Sequence, residues 1–184
     1  QVDAIVIVLV PGGEMGSVKV ENADLLTISE ITDEISEKIR DSRKGNENDA
    51  MQSKGLLASI PWPFRNWLFK LYRTITIHWG ISMPYFGLDS NSFGSYVVSN
   101  IGSVGLDTGY GSLLPSSNFS VVFIMGSIIK KPVVVNDEIV PRKIMILSAT
   151  LDHRIVDGSH GGRLFRTIKF YIKNPHLLET RPGL

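Results

Sequence analysis

The stretch "TLDHRIVDGSHGG" (residues 150–162) joins a long apolar run to a helical pattern. Upstream, "KPVVVNDEIVPRKIMILSATLDH" (131–153) predicts a hairpin about Asn136-Asp137 running into a long strand, since β-branched residues flank a pair suited to positive φ. Downstream of Gly158, Leu164, Phe165, Ile168, Tyr171 and Ile172 line one side of a helix that Asn174-Pro175 ends. The quoted residues are therefore a corner between strand and helix. A corner held by a rigid sheet is where catalytic groups commonly sit.

Outward from that corner, "GSYVVSNIG" (94–102) and "NFSVVFIMGSI" (118–128) predict two further strands. At the other end, "AIVIVLV" (4–10) alternates little and is rich in Val and Ile, as in a strand buried on both faces. "PGGEMG" (11–16) is turn chemistry, and "SVKVEN" (17–22) is its return strand. Those glycines do not make a phosphate loop, because no helix follows directly to supply free backbone amides. Thr27 and Glu30 then form a capping box, with Ile28, Ile31, Ile35 and Ile39 at helical spacing and Gly45 as the stop. Elements in this order predict an α+β fold, a two-layer mixed β-sheet with helices on one face.

A hydrophobic content of 43% and a charged content of 20% fit one globular domain over 1–184. The net charge of +1 gives no global field that would draw nucleic acid or an anionic membrane. With no cysteine, the chain has no disulfide, thiolate metal site or cysteine nucleophile. The longest apolar run is far too short to span a bilayer. "NENDAMQSKG" (46–55) reads as a polar connector. Residues 56–88 differ in character: Trp62, Trp67 and Trp79 alternate with Arg65, Lys70 and Arg73. Pro63 suits a helix start, and Phe64, Trp67, Leu68 and Leu71 make one apolar stripe. A helix packed on its own domain, a subunit or channel contact and a membrane-surface helix all fit this stretch.

Of the four histidines, His78, His153, His160 and His176, no pair has the spacing of a zinc-binding helix, and no metal is expected. His153 has the densest polar surroundings, with Asp152 and Arg154 beside it and Asp157 one turn on. A neutral imidazole can accept a proton near pH 7. Asp157, backed by Arg154, is suited to hold the loop through a charge-assisted hydrogen bond, and Gly158 and its neighbours to turn the backbone into the helix. The same residues also suit a satisfied structural pair. No GxSxG elbow accompanies them, so a hydrolase triad is not supported.

These residues resemble a known family. "DHRIVDG" (152–158) looks like the DHRxxDG signature of the acyltransferase core of 2-oxoacid dehydrogenase complexes, whose fold is chloramphenicol acetyltransferase-like. "YVVSNIGSVG" (96–105), "GSIIKKPVVVNDEIVPRKIMILSATLDHR" (126–154), "FYIKNPHLL" (170–178) and "VKVENADLLTISEITDEISEKIRD" (18–41) resemble further family segments, in the family's order. The resemblance implies a cytoplasmic acyltransferase that moves an acyl group between coenzyme A and a dihydrolipoyl-type thiol on a partner domain. It implies His153 as general base, Ser99 as oxyanion donor, Asp157 as the residue ordering the histidine loop, and Asp152, Arg154, Gly158 and Asn100 in support. It also implies a homotrimer or larger assembly with the site between subunits, and neither nucleic acid nor membrane as a partner. Relative to the family, residues 1–184 lack the N-terminal part, the lipoyl domain and the subunit-binding domain. Residues 46–93 form an aromatic-rich insertion, and "LLPSSNFSVVF" (113–123) departs from the pattern bordering the site. A non-catalytic trimeric scaffold of the same fold and an acetyltransferase acting on a small hydroxyl compound are the alternatives.

Overall fold

A computed structural model describes residues 2–9, 15–43, 61, 64–82, 91, 94–114 and 117–179. The turn at 11–14, the helix stop at Gly45, the connector at 46–55, Trp62 and Pro63 lie outside the described residues. The core is a five-stranded sheet of β1 (Ala4–Leu9), β2 (Met15–Val20), β3 (Tyr96–Asn100), β4 (Val121–Met125) and β7 (Leu147–Leu151), in the order β2-β1-β3-β4-β7. β1, β3 and β4 run parallel, while β2 and β7 are antiparallel to their neighbours. The sheet is mixed, as the pattern predicted.

Register decides which side chains share a face, because directly opposed residues point the same way. Ile5, Val97 and Val122 are opposed in sequence across β1, β3 and β4, and with Ile124 and Phe119 they form the buried cluster. Residues 105–114 lie over that face: Leu113 packs on the cluster, and Cβ atoms added to Gly109 and Gly111 would strike Ile101 and Val122. The opposite face carries Ala4, Val20, Tyr96, Val121 and Leu151 in one row. Helices take this side. α1 (Ile28–Arg43) lies against β2, whose Val18 and Val20 are buried. α3 (Gly158–Lys173) lies so close to β7 that a Cβ on Gly161 would come within 2.8 Å of Leu151 Cδ1.

Local signals explain most element ends. At the start of α1, Thr27 N–H donates to Glu30 Oε2 at 2.8 Å and Glu30 N–H to Thr27 Oγ1 at 3.3 Å, which is the capping box. Asn136 and Asp137 take φ of 51° and 62° in the two-residue turn between β5 (Ile129–Val135) and β6 (Glu138–Ile144). Asp3, fully buried, ties three segments: it accepts from Asn22 N–H at 3.0 Å and Asn91 Nδ2 at 2.5 Å and faces Lys19 Nζ at 3.4 Å. Gly94 meets Asp3 there at a φ of 61°, where a Cβ would come within 2.9 Å of the Asp3 carbonyl oxygen.

The long strand expected to run from the hairpin to the corner is broken. β5 and β6 form their own two-stranded sheet, and Met145-Ile146 separate β6 from β7. Pro132 and Pro141 are directly opposed in the hairpin, removing ladder donors from both strands, and the chain changes partner where Gly126 N–H donates to Ile146 O at 2.9 Å. The predicted strand 118–128 is likewise shorter, at Val121–Met125. α2 (Phe64–Arg73) continues into a π-helical turn, Thr74–His78. Its apolar stripe stands exposed, with Phe64 at 68% and Trp67 at 66% of their full surface. Packing of the stripe on its own domain is therefore not what the described residues show.

Candidate active site at two ends of the sheet

His153 lies two residues beyond β7, on a turn built by Asp152. Asp152 is buried, and its N–H is anchored to Ser120 O at 2.8 Å. Its carbonyl oxygen accepts from Ile155 N–H at 3.0 Å and Val156 N–H at 2.9 Å. Its Oδ1 accepts from Arg154 N–H at 3.0 Å, a bond that spans His153. The backbone of the histidine is thereby pinned while its side chain stays exposed. Arg154 folds onto the same carboxylate, with Nε 2.9 Å from Oδ1 and Nη2 2.6 Å from Oδ2. These side-chain bonds, and then the backbone bond, hold the Asp152 carboxyl at about 2, below its ordinary 3.8.

The expected support of Asp157 by Arg154 is thus corrected: Arg154 belongs to Asp152. Two residues of separation within one tight turn bring that pair together, whereas Asp157 lies beyond the turn as the N-cap of α3. Asp157 Oδ1 accepts from Ser159 N–H at 2.9 Å, Ser159 Oγ at 2.7 Å and His160 N–H at 2.9 Å. His160 Nδ1 lies 2.8 Å from the same oxygen. The backbone bond from His160 and then the Ser159 hydroxyl hold the Asp157 carboxyl at about 2, also below 3.8.

Gly158 opens α3 with open space where a Cβ would go, so the turn into the helix does not need it to be glycine. The close approach in this corner is at Gly161, where an added Cβ would push on the end of the Leu151 side chain. His160 and Gly161 are the two residues that the sequence reading missed. A side chain three residues after an N-cap is a capping position, which was the available signal for His160; the closeness of α3 to β7 has no local signal.

Ser99 sits on β3, 8% exposed, opposed to Ile7 on β1 and Ile124 on β4. Asn100 ends the strand, exposed, and its carbonyl oxygen accepts from Ser103 Oγ at 2.7 Å. Ser99 is in register, through Ile124, with Ser148 of β7. β7 runs only three residues past Ser148, about 10 Å along the strands, before the turn that holds His153, and β3 lies two strands, about 10 Å, across from β7. Within one chain, His153 and Ser99 lie at opposite ends of the sheet and cannot touch one reacting atom. Among the described residues, neither the His153 imidazole nor the Ser99 hydroxyl has a hydrogen-bond partner. Among them, too, no three His, Asp or Glu groups converge as metal ligands, and no helix is long and apolar enough to cross a membrane.

An α+β sheet with a DHRIVDG corner defines a class, and residues 88–180 match the family described as 2-oxoacid dehydrogenases acyltransferase (catalytic domain). The chain belongs to that family. It is 40% identical over 84 residues to the dihydrolipoyllysine-residue acetyltransferase component of pyruvate dehydrogenase complex from Mycoplasma capricolum, covering 46% of this chain and 19% of that one. A structure described as a probable dihydrolipoamide acetyltransferase from Listeria monocytogenes superposes with a TM-score of 0.64 at 20% identity, covering 100% of this chain and 59% of that one. The dihydrolipoamide acetyltransferase of Azotobacter vinelandii, solved in work on a serine, a histidine and an asparagine of its catalytic mechanism, gives a TM-score of 0.61 at 13% identity, covering 96% and 56%. These likenesses establish the chloramphenicol acetyltransferase-like fold. The chain spans less than two thirds of the length of each.

Proposed function

We propose that this chain is a coenzyme A-dependent acyltransferase domain that exchanges an acyl group between coenzyme A and a dihydrolipoyl-type thiol. The observation that carries the reading is the Asp152-built turn that presents His153 inside the segment matched to the family. The His153 imidazole takes the proton of the attacking thiol, whose ordinary pKa of about 8.5 leaves it mostly protonated near neutrality. The thiolate attacks the thioester carbonyl carbon, and Ser99 Oγ–H donates to the oxyanion that forms. The tetrahedral intermediate then collapses, expelling the other thiolate, which recovers the proton from His153. Ser99, His153 and Asp157 follow the order serine, histidine, asparagine, with aspartate in the last place.

Because one chain holds Ser99 and His153 at opposite ends of its sheet, the reading requires a second copy, and we place the site between subunits of a homotrimer or larger assembly. The lipoyl group belongs to a partner domain, and the expected location is cytoplasmic. Buried at mid-sheet, Ser99 is suited to an oxyanion donor that needs no reorganisation, a role worth about 3–4 kcal/mol in the transition state.

Thioester formation from acetyl-coenzyme A and dihydrolipoamide tests the reading. Turnover by the chain should fall at least about a thousandfold in His153→Ala and about a hundredfold or more in Ser99→Ala. A wild-type rate no higher than that of His153→Ala would leave the non-catalytic scaffold instead.

A further inference from the structure

We infer that Ser148 is a positioning residue for the oxyanion side of the site: its hydroxyl holds residues 105–114 down on Ile101 and Ile124, the side chains that flank Ser99. This role rests on the reading of Ser99 as the oxyanion donor. Ile124 of β4 is directly opposed to Ser99, roughly 5 Å away on the same face of the sheet, and Ser148 of β7 is directly opposed to Ile124 in turn. Ile7 of β1 completes the row on the other side of Ser99. Val97 and Ile101, two residues before and after Ser99, belong to the same apolar layer. The neighbouring positions around the Ser99 hydroxyl are therefore aliphatic, and packing rather than a polar partner has to set its direction.

Residues 105–114 cross that row as a strap. Their first turn is tied to the ends of β3 and β4: Leu106 N–H donates to Ile101 O at 3.2 Å, Ser127 N–H to Leu106 O at 2.9 Å and Ser127 Oγ to Asp107 Oδ1 at 2.6 Å. Leu113 anchors the far end on the core. Between these anchors the backbone itself rests on the row. A Cβ added to Gly109 would stand 2.7 Å from Ile101 Cδ1 and 3.7 Å from Ile124 Cγ2, and one added to Gly111 would stand 3.4 Å from Ile124 Cδ1. Ser148, 8% exposed, donates from Oγ to Gly109 O at 2.5 Å. Among the described residues this is the one hydrogen bond that ties 108–112 to the sheet. Its loss leaves a half-buried carbonyl unpaired and lets 108–112 lift from Ile124. An oxyanion donor acts by being already in place, so slack in its packing raises the transition state and leaves substrate binding alone.

Steady-state kinetics of the full chain with acetyl-coenzyme A and dihydrolipoamide tests this. S148A should lower kcat about tenfold and leave both KM values within about twofold. S148T, which keeps the hydroxyl, should recover most of that loss. S148V, which matches threonine in shape but cannot donate, should repeat it, and the T/V pair decides the matter even where S148A folds poorly. In an S99A background, adding S148A should change kcat by less than about twofold, because Ser148 acts through Ser99. Hydrogen exchange of the 108–112 amides should speed up in S148A and S148V but not in S148T, with circular dichroism unchanged. An S148V as active as S148T, or an S148A loss of the same size with and without Ser99, overturns the positioning role and leaves Ser99 as the oxyanion donor. Wild-type turnover by S99A overturns both.

Discussion

Ser99 is held in the third of five strands, flanked on both sides by paired backbone, whereas His153 stands exposed on a turn beyond the end of β7. An oxyanion donor must not move as charge develops, and a sheet interior supplies that rigidity at no local cost. A base must reach a thiol that enters and leaves, and a turn pinned by Asp152 fixes its backbone while leaving the imidazole open. The two residues lie apart within one chain, so under the proposed reading they form a single site only between copies.

The strongest way to break that comparison is to separate the two halves. Ser99→Ala and His153→Ala chains, each inactive alone, should regain activity when coexpressed, since a mixed assembly contains junctions with both residues intact. Random mixing of equal amounts should give about a quarter of the wild-type sites. Activity that stays at the level of the single variants would place both residues in one chain's site and refute the shared arrangement.

A second prediction concerns the pinned turn. Asp152→Ala removes the acceptor for Arg154 N–H and the partner of the Arg154 guanidinium together. Turnover should fall about ten- to a hundredfold, from misplacement of His153 with the fold retained. Asp152→Asn, which keeps an oxygen acceptor but not the charge, should lose less. Equal losses in both variants would show that the ion pair, not the turn, positions the histidine.

The same comparison marks what could be read locally. The Asn136-Asp137 turn, the Thr27–Glu30 box and the corner at 152–158 are set by neighbours in sequence, and all were legible. The break at Met145-Ile146 was not, because β6 and β7 read as one apolar run until the partner strand is known. Arg154 was assigned to the wrong aspartate for a related reason: a charge pair depends on where the turn closes, not on the order of the letters. The exposure of Trp67 was equally hidden, since an apolar stripe looks the same whether its own domain or another copy covers it.

A third prediction is the response to acid. Asp152 and Asp157 are both held at about 2 against an ordinary 3.8. A depressed carboxyl contributes stability that is complete above the unfolded value and is lost as pH falls toward the folded one. The melting temperature should therefore fall between about pH 4 and pH 2. The loss should be modest and salt-sensitive, as both partners of Asp157 and the Arg154 side chain are solvent-exposed. A D152N/D157N chain should show a shallower slope over that window; an unchanged slope would assign it to other carboxylates.

The smallest effect distinguishes the two aspartates of the corner. Asp157 makes its bonds to Ser159 and His160, at the first turn of α3, and none to the turn that carries His153. Asp157→Ala should lower the melting temperature by a few degrees through loss of the N-cap. Its effect on turnover should stay below about tenfold, because Asp152 still pins the histidine. Asp157→Ser, which restores a capping oxygen without the charge, should recover most of both. Failure of the serine to recover turnover while it recovers stability would give the charge of Asp157 its own part in the reaction, and so bring the two aspartates closer in role than their hydrogen bonds place them.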